Sequence, residues 1–214
     1  MAKRPAKRRR REPDVTREKL LHAAFEEIYR RGFQAASLET ILAKAGVTKG
    51  ALYHHFPSKA ALGYAVVDEV VKAPLLEAWV GRLEGCTGDS LTALQQVLRQ
   101  RAGDFVAGGI ELGCPLNNLA QEMSPLDERF RRRVSVLLDT WTEAFATVLR
   151  RGQAEGTVRR DADARQVAAF VVAAIEGSFG LAKNAKSLAV LHSNLEILAR
   201  FLESLRPAPE GQPS

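Results

Sequence analysis

The sequence predicts an all-α protein of about nine helices: a three-helix N-terminal unit holding a helix-turn-helix, then a larger helical body. Three observations carry this. Apolar residues recur every three to four positions along most of the chain. No segment alternates with the period of two that a strand requires. Helix N-cap residues stand before the apolar stripes, and Gly or Pro closes them.

The first helix starts near Asp14, carries Leu20, Leu21, Ala24, Phe25 and Ile28 on one side, and stops at Gly32. Ser37 caps a second helix whose stripe, Leu38, Ile41, Leu42 and Ala45, ends at Gly46. Thr48 caps a third, running only to about Phe56 before Pro57 stops it. Two short helices joined by a Gly-containing turn of about three residues make a helix-turn-helix. Ser58 then caps a long helix with Leu62, Val66, Val70, Leu76, Val80 and Leu83, and Pro74 inside it should kink it near residues 70–73. Gly85–Gly88 reads as a loop. A helix from Asp89 or Ser90 is expected to run through Phe105 to Gly108, and a short one from Leu116 to Met123. Ser124 is expected to cap the next, with Pro125 in first position and a stripe of Phe130, Val134, Leu137, Trp141, Phe145 and Val148. The last two begin at Asp161 or Asp163 and near Leu188.

The formal charge of +6 is unevenly spread. Residues 1–60 hold 14 basic and 6 acidic side chains, +8 in all; residues 61–214 hold 17 and 19, giving −2. A basic head suits a polyanion, and the near-neutral body calls for another use. The expected division is a disordered basic arm over 1–13, a basic helix-turn-helix unit over 14–60 with its last short helix at about 48–56, a larger helical unit over 61–206, and a disordered tail over 207–214.

Other classes are excluded. The longest uninterrupted apolar run, Val167–Ile175, is nine residues, short of the ~20 that cross a bilayer. Glu12-Pro-Asp14 follows the basic start where a signal peptide would have an apolar stretch. Two cysteines, Cys86 and Cys114, make no disulfide framework, so a bacterial cytoplasm and no membrane partner are expected. There is no G-x-S-x-G, Walker or G-x-G-x-x-G motif, and His22, His54, His55 and His192 show no metal-ligand spacing. No enzyme activity, cofactor or metal is expected.

A helix entering the major groove presents its first turn to base edges, so small residues there permit close approach. Lys49, Gly50 and Ala51 fit that need, and Tyr53, His54 and His55 follow one turn on. Thr48 and Lys59 lie at helix starts, where backbone N–H groups bind phosphate. Arg8, Arg9, Arg10 and Arg11 belong to the arm and should add affinity that does not depend on DNA sequence.

Ser37-Leu-Glu-Thr-Ile41, Ala45-Gly-Val-Thr-Lys-Gly-Ala-Leu-Tyr-His-His-Phe56 and Pro57-Ser-Lys-Ala-Ala-Leu62 resemble the DNA-binding domain of the tetracycline-repressor (TetR) family over about a quarter of the chain. The resemblance implies a dimeric regulator, in the usual case a repressor, that binds a palindromic double-stranded operator and is released by a small apolar, aromatic or electrophilic effector. It carries DNA contact onto Ser37 and His55 as well, makes 48–56 the recognition helix of a DNA-binding domain over 14–60, and gives 61–206 effector binding and dimerisation. A constitutive nucleic-acid-binding protein without an effector is the alternative.

For the homodimer, the resemblance favours the last two helices, through Ala174, Gly177, Ser178 and Leu181 and the leucine seam Leu191, Leu195, Leu198 and Leu202. The same seam could instead pack on its own domain. Phe105, Cys114, Leu119, Met123, Trp141, Phe145, Phe170 and Phe179 are candidates for an effector pocket, or equally for plain core. Gly113-Cys-Pro-Leu116 with Asn118-Leu-Ala120 and Glu122 is similar to a branch of the family that includes electrophile, aldehyde and acrylate responders. A Cys at a helix start gains thiolate character from the dipole, although a small buried hydrophobe is the alternative.

Overall fold

The structure is a computed structural model that describes residues 12–105 and 110–208. Arg8–Arg11 of the expected arm lie outside the described residues. The described chain is helical, without strands, and divides into two compact units, the first ending at Val70 and the second beginning at Val71.

The first unit holds α1 (Glu12–Arg31), α2 (Leu38–Ala45), α3 (Lys49–His55) and the start of α4 (residues 59–84). α1 packs on α2, α3 and the first turns of α4, and Leu20, Ala24, Ile41, Leu52 and Leu62 are almost wholly buried between them. The turn between α2 and α3 is set by Gly46 at φ +65°, a left-handed conformation that costs a glycine little. The Gly46 and Val47 amides return to the carbonyls of Ala43 and Leu42. Ser37, Thr48 and Ser58 each accept a hydrogen bond from the backbone N–H three residues on. These caps fix where each short helix begins.

α4 is continuous helix from residue 59 to 84, but widens to π-type turns over Val66–Val71 and Glu77–Gly81. The break in regular α-helix at Val66–Val71 thus precedes Pro74 by about a turn.

The second unit continues with α5 (Ser90–Gly103), α6 (Pro115–Met123), α7 (Glu128–Glu155), α8 (Ala164–Ala185) and α9 (Leu188–Glu203). α7 packs against α5, α6 and α8; α9 lies against α5 and α8. α5 stops at Gly103, so Phe105 stands beyond the helix expected to contain it. α7 is capped by Asp127, not Ser124, because the Leu126 and Asp127 amides both bond back to Met123 and carry the chain through one more turn. Asp127 accepts from the Arg129 and Phe130 amides. Asp163 caps α8 in the same way.

Two loops are tied by side chains. Arg206 donates to both Asp89 oxygens at 2.9 Å, and Arg151 donates to the Cys86 carbonyl at 2.8 Å. α8 is long and apolar enough to cross a bilayer by composition, yet its stripe of Val171, Val172, Ile175 and Phe179 is buried within the chain.

Candidate operator-reading surface and effector interior

Lys49, Gly50, Tyr53 and His54 are exposed along one side of α3, with Tyr53 43% exposed. Ala51 and His55 are half-buried, and Leu52 and Phe56 anchor the helix inward. The His54 and His55 rings meet edge-on at 5.2 Å. Ser37 caps α2 while its hydroxyl donates to the Glu39 carboxylate at 2.8 Å. That bond, helped by the charge of Lys49, holds Glu39 below the usual carboxylate range. Lys59 is committed elsewhere: its ammonium donates to the Gln34 carbonyl at 2.9 Å and lies 5.2 Å over the Phe33 ring. It braces the loop before α2 as well as standing at a helix start.

The reading helix is held by charges that the sequence did not single out. Arg17 donates to Glu69, at 2.6 Å from Nη2, and its guanidinium lies 5.1 Å over Phe56. Glu27, only 2% exposed, is paired with Arg31 on its own helix and with Lys44 of α2.

In the second unit, Trp79 and Trp141 pack in a tilted arrangement with ring centroids 4.8 Å apart, and Phe145 lies 6.3 Å from Trp79. Arg101 lies 5.0 Å from the faces of both Trp79 and Phe105, and Phe105 meets Phe179 edge-on at 5.1 Å. Leu119, Met123, Trp141, Phe145 and Phe179 are buried, and Phe105 is half-buried. Phe170 is not among them: it is 53% exposed on the outer side of α8, against Phe201.

This aromatic interior contains polar atoms without partners. The Trp141 indole N–H is buried and unpaired. The Arg101 Nε is unpaired, although its Nη1 reaches Asp104 at 2.6 Å. Glu176 is 8% exposed, and neither of its carboxyl oxygens has an N–H or O–H donor. Its polar neighbour is the Cys114 thiol, and burial pushes its pKa up to about 7. A buried acceptor in this state is uncommon in a packed core and calls for a partner or a role.

Cys114 is the N-cap residue of α6, with Pro115 in first position and no side-chain capping bond. Asn118 ties the approach to α6, donating to the Leu112 carbonyl at 2.8 Å and accepting from Lys183 of α8. Contrary to the dipole expectation, the thiol is pushed well above its ordinary value. Burial is the first cause and the Glu176 carboxyl the second; the amides of Asn117 and Leu116 pull the other way and lose. Cys86 is also raised, by burial.

The expected interface residues separate into two sets. Leu191, Leu195, Leu198 and Leu202 are buried within the chain, and Ser178 is buried with its hydroxyl donating to the Ala174 carbonyl at 2.6 Å. The leucine seam holds α9 onto its own domain. Gly177 and Leu181 face outward, Ala174 is half-buried, and the outward side of α9 carries Ile197. Sequence spacing passes over Trp79, Arg101 and Glu176, of which Glu176 alone leaves a signal: a single carboxylate in an apolar run.

A capped helix-turn-helix with an exposed recognition helix, joined to a larger helical unit, defines a DNA-binding transcription regulator. Residues 20–66 match the model for bacterial regulatory proteins of the tetR family, and residues 90–196 match the C-terminal domain of LmrA/YxaF-like transcriptional regulators. The chain belongs to the TetR family, whose members are regulators and not enzymes. It is 32% identical over 194 residues to an uncharacterised HTH-type transcriptional regulator in the lacX 3′ region of Lactococcus lactis, covering 89% of this chain and 94% of that one. It is 28% identical to the HTH-type transcriptional repressor DhaR of a Mycobacterium species, over 91% and 94% of the two chains. A TetR transcriptional regulator from Chloroflexus aurantiacus superposes with a TM-score of 0.80 at 27% identity, over 93% of this chain and all of that one.

Proposed function

We propose that this regulator is a repressor that binds a palindromic operator as a homodimer and releases it when a small apolar, aromatic or electrophilic compound enters the interior of the second unit. The observation that carries the gating is the set of buried, unpartnered polar atoms, Glu176 and the Trp141 N–H, among packed aromatic rings. A packed core satisfies such groups; a ligand site leaves them for the ligand. Ser37, Thr48, Lys49, Gly50, Ala51, Tyr53, His54, His55 and Lys59 are the operator contacts in this reading, Lys59 through its place at the start of α4, with Arg8–Arg11 adding charge. The repressing sign rests on the usual mode of the family and on the relative named as a repressor.

The dimer forms through the outer face of α8 and α9. Phe170, Leu181 and Ile197 are more than half exposed there. Gly177 and Gly180 sit mid-helix, where each costs about 1 kcal/mol relative to Ala, and an added Cβ would meet nothing within 4 Å in the chain. Close approach of a second backbone accounts for them.

Footprinting on the DNA flanking its own gene, with and without a panel of aromatic and electrophilic compounds, tests the reading. A twofold-symmetric protected site that one class of compound relieves is the expected result. Protection indifferent to every compound would favour a constitutive DNA-binding protein. Deleting residues 1–11 should weaken binding to all sequences and reduce the salt slope by ~0.9 for each phosphate that is no longer neutralised.

A further inference from the structure

Two guanidiniums share one carboxylate just past the end of α5, and neither is fully used by it. Arg82 Nη2, from the last turn of α4, and Arg101 Nη1, from α5, reach the same oxygen of Asp104, at 2.7 and 2.6 Å. Arg82 Nη1 and Arg101 Nε are buried and have no acceptor. The Trp79 and Phe105 rings, each 5.0 Å from the Arg101 guanidinium, keep that group in place. Burial draws the Arg101 pKa below its ordinary value; Asp104 offsets this only in part, and the like charge of Arg82 adds to the fall. Two positive charges against one negative leave the cluster one anion short. A cavity of about 360 Å³ adjoins it, between the end of α4 and α5, and Arg82 is part of its wall. The lining includes the small or apolar Gly81, Ala93 and Val97 and the neutral polar Gln96 and Gln100, and no acidic side chain. Glu77 packs against Gly81 but is not part of that lining.

We propose that this cavity binds aromatic monocarboxylates, with the ligand carboxylate received by Arg82, its charge balanced by the Arg82–Arg101 pair, and its ring laid against Ala93 and Val97. A carboxylate is the group that both guanidiniums already hold, and the planar fork matches it in geometry. One negative charge completes the balance, so a monoanion fits where a phosphate dianion overshoots. The Arg82 side chain is 33% exposed, which leaves its guanidinium room to turn the unpaired nitrogen towards a ligand. The cavity volume lies near the lower end of the range for small-molecule sites, about 300–1,000 Å³, and suits a ring system of one or two rings. The cluster adjoins the aromatic interior through Arg101, but the site does not depend on that interior being the effector site.

The test is the affinity of the full-length protein for 2-naphthoate and for its neutral isostere 2-naphthamide, measured by calorimetry at neutral pH, with acetate as the anion that lacks a ring. 2-Naphthoate should bind with a Kd below about 1 mM. It should bind at least about tenfold more tightly than the amide or acetate. Arg82→Gln should weaken the acid about tenfold and leave the amide unchanged. Asp104→Asn should act in the opposite direction and tighten the acid several-fold, because it frees both guanidiniums for the ligand. A purely structural role for the cluster gives no such reversal of sign.

No saturable binding of 2-naphthoate, equal affinity for acid and amide, or acetate bound as tightly as the acid would each overturn the proposal. These three outcomes are read on the parent protein, so they hold even where a substitution perturbs folding. An Arg82→Gln protein that keeps the parent's affinity for the acid, or an Asp104→Asn protein that binds it more weakly, would overturn it as well. Operator affinity measured on the same samples keeps this inference apart from gating by the aromatic interior. Arg82-dependent binding of 2-naphthoate that leaves operator affinity unchanged upholds the site and denies it a part in release. Operator release by other aromatic compounds, with no binding of 2-naphthoate, overturns the site and leaves the gating intact.

Discussion

Each unit of this protein buries a glutamate, and the two are treated oppositely. Glu27 in the first unit is held by Arg31 and Lys44, so its charge links α1 to α2. Glu176 in the second is also buried and has only a thiol beside it. Both lie in helices among apolar neighbours, so burial alone does not distinguish them. The difference is whether the fold supplies the counter-charge. Where it does, the carboxylate is part of the scaffold; where it does not, the group is available to something outside the chain.

The largest effect that should sharpen this contrast is on stability against pH. The folded-state pKa of Glu176 is raised from 4.5 to about 7, so the folded chain binds more protons than the unfolded one between those values. Stability should therefore fall as pH rises from about 4.5 and level off above 7, at a total cost of about 3 kcal/mol. Glu176→Gln should recover about that amount at pH 8 and almost nothing at pH 4, as read from denaturant melts at the two pH values. An equal gain at both would mean that the residue is under steric and not electrostatic strain.

Next in size is the outer face of α8. Leu181→Arg should cost about 2 kcal/mol of association, a loss of about thirtyfold in dimer affinity by sedimentation, without lowering the helix content. Retention of the dimer would move the interface elsewhere.

Glu27→Gln should act in the opposite direction to Glu176→Gln, lowering stability by about 1–2 kcal/mol because a charged pairing is replaced by a neutral one. If both substitutions stabilise, the contrast between the two glutamates fails.

The smallest effect is at the Asp89–Arg206 pair. Arg206 holds the Asp89 carboxyl well below its ordinary 3.8, so the pairing contributes at neutral pH and is lost as pH falls below about 4. Both side chains are partly exposed, so its share is under about 1 kcal/mol. Arg206→Ala should flatten the acid limb of the stability curve by that amount.

What the sequence reveals follows from the range of each interaction. Ser37, Gly46, Thr48 and Ser58 are legible because a cap is settled within four residues. Ser124 and Asp127 are easily confused because both are good N-caps three positions apart, and the choice between them depends on the amides that bond back to Met123. The α9 leucines follow the same 3,4 spacing whether they face another helix of the same chain or a second copy. Only their contact with α5 shows that they face inward. The helix start at Cys114 is a source of thiolate character, as its sequence suggests, but burial first, and then the Glu176 carboxyl of α8 more than 60 residues on, oppose it, and neither is visible locally. The recognition helix is legible because its exposed and inward residues alternate within one short segment; the aromatic interior of the second unit is assembled from α4 to α8.

The paired indoles have one practical consequence. The chain has two tryptophans, Trp79 and Trp141, and both lie in the second unit at 4.8 Å from one another. Tryptophan emission is therefore blind to the DNA-reading helices and reports on the opposite end of the communication. An operator titration that alters the emission would record DNA being sensed inside the effector unit. Since linkage is reciprocal, the factor by which bound operator weakens a small molecule's binding in such titrations equals the factor by which that molecule weakens operator binding.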